Sequence, residues 1–165
     1  MVRVNMKEID LKLPSGAIFS DDFSMRFVLW RVWDNQKPII GQVGLNPSTA
    51  GADKNDATIA RSIVRGQKYG FGGLIQTNKY PHIATNPKHL DRLIGIEEND
   101  LYIRKMVELS EVQLCMWGSI IKDYFRGQQV YKMLKNPHCL GINPDGQPKH
   151  SLYIGYEIPM VKYCR

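Results

Sequence analysis

Cysteine is scarce in this chain: Cys115, Cys139 and Cys164 are odd in number, far apart and never spaced C-x-x-C. A disulfide framework, a structural zinc site and an iron–sulfur cluster all need paired or fourfold ligands, so no metal and no other cofactor is expected. Such thiols suit a reducing, cytoplasmic compartment, and Cys115 and Cys139 sit in apolar runs, as buried inert thiols do. No apolar run approaches the roughly 18 residues of a membrane span, and the N-terminus lacks an apolar signal core, so no membrane partner is expected. Repeats, low-complexity tracts and dense basic blocks are also missing, which argues against disorder and against a nonspecific nucleic-acid tail.

What is present is ordinary globular composition. The 165 residues are 43% hydrophobic and 10% aromatic, enough to bury one good core, so a single α/β domain over residues 1–165 is expected. Lys and Arg outnumber Asp and Glu 22 to 16, giving a net charge of +6. That surplus favours a phosphorylated or polyanionic partner, with nucleic acid among the candidates. Trp30, Trp33 and Tyr156 suit either a core or a subunit interface, which leaves the oligomeric state open.

Along the chain, residues 1–16 read as an edge strand or an arm that ends in a turn. Ala17-Ile18-Phe19 and Met25 to Trp33, split by Ser20-Asp21-Asp22, read as an N-terminal β-hairpin, its second arm apolar on both faces. Further strands are expected at Pro38 to Leu45, Leu74 to Asn78, Val112 to Trp117, Cys139 to Ile142 and, at the end, Ser151 to Ile154. Helical spacing places helices at Ala57 to Tyr69, capped by Asp56, at Glu97 to Leu109, and from Ser119 to Lys135. In the last of these Ile120, Ile121, Tyr124, Phe125, Tyr131 and Leu134 form the apolar set. Arg61, Arg65 and Lys68 form a basic ridge on the first helix, either touching phosphates or simply solvated. Strands alternating with helices predict a three-layer α/β/α domain with a mainly parallel central sheet.

Strand ends matter in such a sheet, because ligands bind beyond the carboxyl ends of parallel strands. Gly44-Leu45-Asn46-Pro47-Ser48-Thr49-Ala50 leaves one of these ends. Gly44 permits close approach of the backbone to a ligand, and Pro47 holds Asn46 extended. Ser48, Thr49 and the following amides precede a helix N-terminus, where the dipole favours an anion. Asn78, the corner Trp117-Gly118-Ser119, and Lys149 with His150 supply three more polar stations, each after an expected strand.

These stations carry a resemblance. The phrases Phe19-Ser20, Leu45 to Ala50 (LNPSTA), Asp56-Ala57-Thr58-Ile59, Thr77-Asn78, Met116 to Ser119 (MWGS) and Gly146 to Ile154 (GQPKHSLYI) resemble an uncharacterised bacterial and phage domain family. More loosely, GLNPS, an aliphatic strand running into W-G-S, and a late histidine loop are similar to the uracil-DNA glycosylase superfamily. The resemblance implies a uracil-DNA glycosylase-like fold and a pocket for a nucleotide or nucleobase. It further implies that Asn46 orients water, Asn78 bonds the base, and His150 stabilises the leaving group, with Gly44, Leu45, Pro47, Ser48, Thr49, Trp117, Gly118, Ser119 and Lys149 lining the ligand. An amide cannot take a proton, so a general base has to be Asp53, Asp56 or solvent. The sequence departs from the principal uracil enzymes, which carry Asp at the position of Asn46 and H-P-S where this chain has His150-Ser151-Leu152. Leu152 or Tyr153 reads either as a wedge that replaces a flipped base or as part of a terminal core strand. Two functions follow: a glycosylase-like hydrolase of a modified nucleotide, or a non-catalytic phage-type protein that sequesters a cyclic or ADP-ribose-type immune signal in an anti-defence role.

Overall fold

The computed structural model describes residues 5–165, so the first four residues of the expected N-terminal arm lie outside it. Residues 5–14 run without a strand. Seven strands then form one sheet: β1 (Ser15–Phe19), β2 (Arg26–Val32), β3 (Ile39–Gly44), β4 (Gly73–Asn78), β5 (Val112–Cys115), β6 (Pro137–Cys139) and β7 (Val161–Lys162). Their order across the sheet is β1-β2-β4-β3-β5-β6-β7.

The sheet is mixed, which corrects the expectation of a mainly parallel one. Its central strands β4, β3, β5 and β6 are parallel, while β1 pairs antiparallel with β2, β2 with β4, and β7 with β6. Connection length is the cause. Each parallel neighbour is reached through a helical crossover, whereas residues 33–38 turn the chain straight back from β2 to β3. That short loop leaves β2 and β3 two strand spacings apart, and β4 fills the gap. The β1–β2 hairpin is therefore an extension of the sheet and not an appendage.

Helices α1 (Ala57–Lys68), α2 (Ile96–Leu109) and α3 (Tyr124–Met133) cover both faces. On one side Ile59 of α1 packs in a cluster with Leu29, Ile40, Leu74 and Leu114; on the other, Ile103 and Met106 of α2 and Val130 of α3 pack with Phe27, Val43 and Ile75. Period-2 alternation sorts the strands between these two clusters. Strand β2 is buried on both faces, as its doubly apolar pattern predicts.

Three other expectations are corrected. The helix expected from Ser119 begins only at Tyr124, because the Asp123 side chain caps it by accepting from the Arg126 amide. Val130 and Met133 form its buried side, while Ile120 and Phe125 are 74% and 71% exposed. The expected strand at Ser151 to Ile154 is a 3₁₀ turn at Ser151–Tyr153, with Tyr153 89% exposed. No neighbouring strand offers it a ladder, and the His150 side chain closes the turn instead. Strand β6 also lies earlier than Cys139 to Ile142. Among the described residues no helix is long and apolar enough to cross a membrane.

Candidate functional site

Beyond the carboxyl ends of β3, β4 and β5 lies a cavity of about 630 Å³. Its floor is the end of the sheet on the α1 side. Alternate residues Ile40, Gln42 and Gly44 of β3, and Leu74, Gln76 and Asn78 of β4, share that face. Ile40 and Leu74 join the core under α1, whereas Gln76 and Asn78 line the cavity. The apolar pattern of both strands thus gives way to amides where the cavity opens. A Cβ on Gly44 would stand 2.7 Å from Asn78 Oδ1 and 3.0 Å from Gln76 Nε2, so glycine leaves these amides their room.

The floor amides are only partly satisfied. Gln76 Nε2 donates to the Thr77 carbonyl at 2.7 Å. Gln76 Oε1 and Asn78 Nδ2 are buried and have no hydrogen-bond partner among the described residues; the same holds for Gln42 Oε1 and Arg26 Nε. Native interiors rarely leave such groups orphaned, because each costs roughly 1–3 kcal/mol of lost solvation. Three of these residues, Arg26, Gln76 and Asn78, line the cavity, whereas Gln42 lies one step back along β3.

The loop of the LNPSTA stretch forms one wall. The Asn46 side chain donates both its N–H groups, to the Pro47 carbonyl at 3.0 Å and the Ala84 carbonyl at 2.8 Å, which clips this loop to residues 84–87 opposite. Its Oδ1 is left as the free acceptor. Arginines of β2 brace the remainder: Arg31 binds the carbonyls of Gly51, Ala52 and Lys54 and the Asn55 side chain, and Arg26 Nη1 donates to the Ala50 carbonyl at 2.6 Å. The loop delivers Asp56, whose Oδ1 accepts from the Ile59 amide and caps α1.

The opposite wall is the Trp117 corner and the late loop. Trp117 Nε1 donates to Gln147 Oε1 at 2.8 Å, Gly118 takes φ +67°, and its amide reaches the Pro148 carbonyl. Ser119 Oγ donates to Asp145 Oδ1 and accepts from Asn143. Behind Trp117, the Lys79 ammonium lies 5.6 Å from the ring and is drawn down to about 8 by burial. His150 Nδ1 accepts from the Leu152 amide at 3.1 Å, which places the ring proton on Nε2. Burial lowers the His150 pKa, the charge of Asp56 opposing it, so the ring is held neutral at pH 7.

The two arginines at the ridge of α1 fix this loop. Arg61 and Arg65 both donate to the Ile154 carbonyl at 2.7 Å, Arg65 also reaches the Gly155 carbonyl, and both stack on the Tyr156 ring. These two arginines therefore clamp the chain's own C-terminal segment, whereas Lys68, the third residue of the ridge, is exposed to solvent.

Asn46, Asn78 and His150, with Gly44, Leu45, Ser48, Trp117, Gly118, Ser119 and Lys149, all line this one cavity. Pro47 and Thr49 do not, and Asp53 is outside it as well. Arg26, Gln76, Asp56 and Asn143 line it without having been singled out as ligand contacts. Gln76 was legible as a polar residue sharing parity with Asn78, and Arg26 as a charge heading an apolar strand. Among the described residues no cluster of three or more His, Cys, Asp or Glu is placed to hold a metal ion.

Residues 26–152 match the family model described as a protein of unknown function (DUF1643), a span that holds the cavity wall except Tyr153 and Ile154. No curated protein and no solved structure matches the chain.

Proposed function

The chain belongs to the DUF1643 family, and from that premise we propose that its cavity binds a nucleotide or nucleobase in a glycosylase-like manner and hydrolyses an N-glycosidic or related bond of a modified nucleotide. One observation carries the reading: buried, unpartnered donors and acceptors at Arg26, Gln76 and Asn78 sit together on a cavity floor. Two donors and one acceptor complement the alternating carbonyl and N–H edge of an oxo base. At about 630 Å³ the cavity has room for the sugar and phosphate beyond that base.

Cleavage of an N-glycosidic bond develops negative charge on the departing base, and a donor fixed in a water-poor cavity stabilises it most. The neutral His150 offers Nε2–H for that task, and Asn46 Oδ1 accepts from a water. The glycosylase-like assignment of the fold and a cytoplasmic site of action belong to the same proposal. So does a wedge role for the exposed Tyr153 or for Leu152 at the cavity mouth, should the base come from a polymer.

Wild type, Asn46→Ala and His150→Ala are to be compared by calorimetry and product chromatography on modified nucleotides and on single-stranded and duplex oligonucleotides. The expected result is binding by all three proteins and turnover by wild type, with His150→Ala slower by roughly 10²- to 10³-fold. Three proteins that neither bind nor convert anything on the panel would end the reading.

A second reading is favoured by the Asn46 side chain, whose N–H groups are spent on clipping the loop and which cannot accept a proton. In it the protein sequesters a small phosphorylated signal, of the cyclic or ADP-ribose type, without changing it. Mass spectrometry of molecules released on denaturation separates the two: an intact ligand in stoichiometric amount supports sequestration, and a cleaved product rejects it.

A further inference from the structure

We propose that Arg26 is a ligand-binding residue and that it selects a planar head group carrying negative charge, an ionised oxo-heterocycle or a ring carboxylate, over its neutral counterpart. The inference rests on the nucleobase reading of the cavity and adds the charge of what enters it.

Arg26 is 3% exposed and lines the cavity, yet the protein uses little of its guanidinium. Only Nη1 has a partner, the Ala50 carbonyl; Nε is buried without one, and Nη2 makes no hydrogen bond among the described residues. Arg31, on the same strand and braced against the same loop, is the internal comparison. It spends Nε, Nη1 and Nη2 all on protein acceptors. Arg126, equally buried, is saturated by the Lys79 carbonyl and an ion pair to Asp100 at 2.7 Å. Arg26 has no carboxylate within ion-pair distance among the described residues.

A cation in that position is unfavourable unless something compensates it, because burial strips its water and neither a carbonyl nor a distant charge replaces it. Asp56 acts on it from a distance, but that carboxylate also caps α1, and Arg31 adds a repelling charge. The rest of the wall supplies no further carboxylate: Lys149 and the neutral His150 are its other ionisable neighbours, with Tyr153 at the mouth. The floor is thus short of one negative charge. Guanidinium donors in a fixed planar fork match a planar anion with two acceptors better than a single carbonyl. The Gln76 acceptor and the Asn78 donor beside it fix the orientation of such a ring.

Two pairs of probes compare an anionic ring with a neutral one, xanthosine against inosine and orotidine against uridine, and the Arg26 variants separate the effect of charge from that of the added oxo or carboxylate group. Titration calorimetry on the full chain at neutral pH should show the anionic member of at least one pair binding tighter by roughly ten- to hundredfold. Preference in the first pair alone assigns the ionised ring, and in the second alone the carboxylate. Arg26→Gln should abolish that preference while leaving weak binding of inosine and uridine, and Arg26→Lys should retain part of it. Equal binding within both pairs, or a preference that survives in Arg26→Gln, overturns the role of Arg26 and leaves the nucleobase cavity standing. Failure of all four nucleosides to bind wild type removes both. Should Arg26→Gln fail to fold for loss of its Ala50 contact, the wild-type preference and its reduction in Arg26→Lys decide the matter.

Discussion

His150 closes a turn and lines the cavity with the same ring. Its Nδ1 closes the turn at Ser151–Tyr153, and that bond requires the ring to keep Nδ1 unprotonated. Burial pushes the same way, lowering the pKa from the ordinary 6.5. An unfolded chain therefore takes up the proton first as pH falls, and the native state loses stability over that interval. Full stability from this group is expected above pH 6.5, declining as pH drops through the lowered native value. Thermal melts of wild type and His150→Asn between neutral and mildly acid pH check the sign, since asparagine keeps a capping acceptor but does not titrate. The melting temperature of wild type should fall further on acidification than that of the variant. Parallel curves would mean that the ring protonates as freely in the native protein as in the unfolded one.

At the scale of elements, what was legible in the sequence was local. Strands β2, β3 and β4 and helices α1 and α2 stand within a residue or two of their expected ends, because apolar periodicity, the Asp56 cap and the glycines at 70, 72 and 73 act over short distances. Residues 119–123 and 151–154 misled for the opposite reason. Their apolar side chains, Ile120 and Tyr153 above all, sit at the mouth of a cavity and not in the core, and periodicity assumes that apolar means buried. Strand order was not legible either, since it depends on which gap a six-residue loop leaves open. The cap on α1 can be tested by itself. Asp56→Ala removes the acceptor for the Ile59 amide and should cost roughly 1 kcal/mol, or about 2–4 °C in melting temperature for a chain of this size. Asp56→Asn, which caps nearly as well, should melt close to wild type. Equal losses in both variants would show that the Asp56 charge, acting on Arg26 from a distance, and not the cap, is what stabilises this corner.

For the molecule as a whole, the decisive property is convergence. Positions 44–48, 76–78, 117–119 and 149–154 are scattered along the sequence, and each ends a strand or lies in the chain beyond one. Parallel strands with helical crossovers carry all their carboxyl ends to one rim, so the polar stations of the sequence foreshadowed a common site without naming its floor. Gln76 and Arg26 each carry a local signal, but that they meet on one floor depends on β2 pairing with β4, a nonlocal choice that no window of sequence reports. A ligand that fills the cavity must therefore stabilise four distant segments as one unit. Amide hydrogen exchange on the full chain, with and without a nucleotide that binds, should show slowed exchange in all four together. Residues 8–14, which border a separate open groove beside β2, should exchange at the same rate in both states. Ligand protection confined to a single segment would place the nucleotide on a surface loop, and the four strand ends would then share a rim without sharing a ligand.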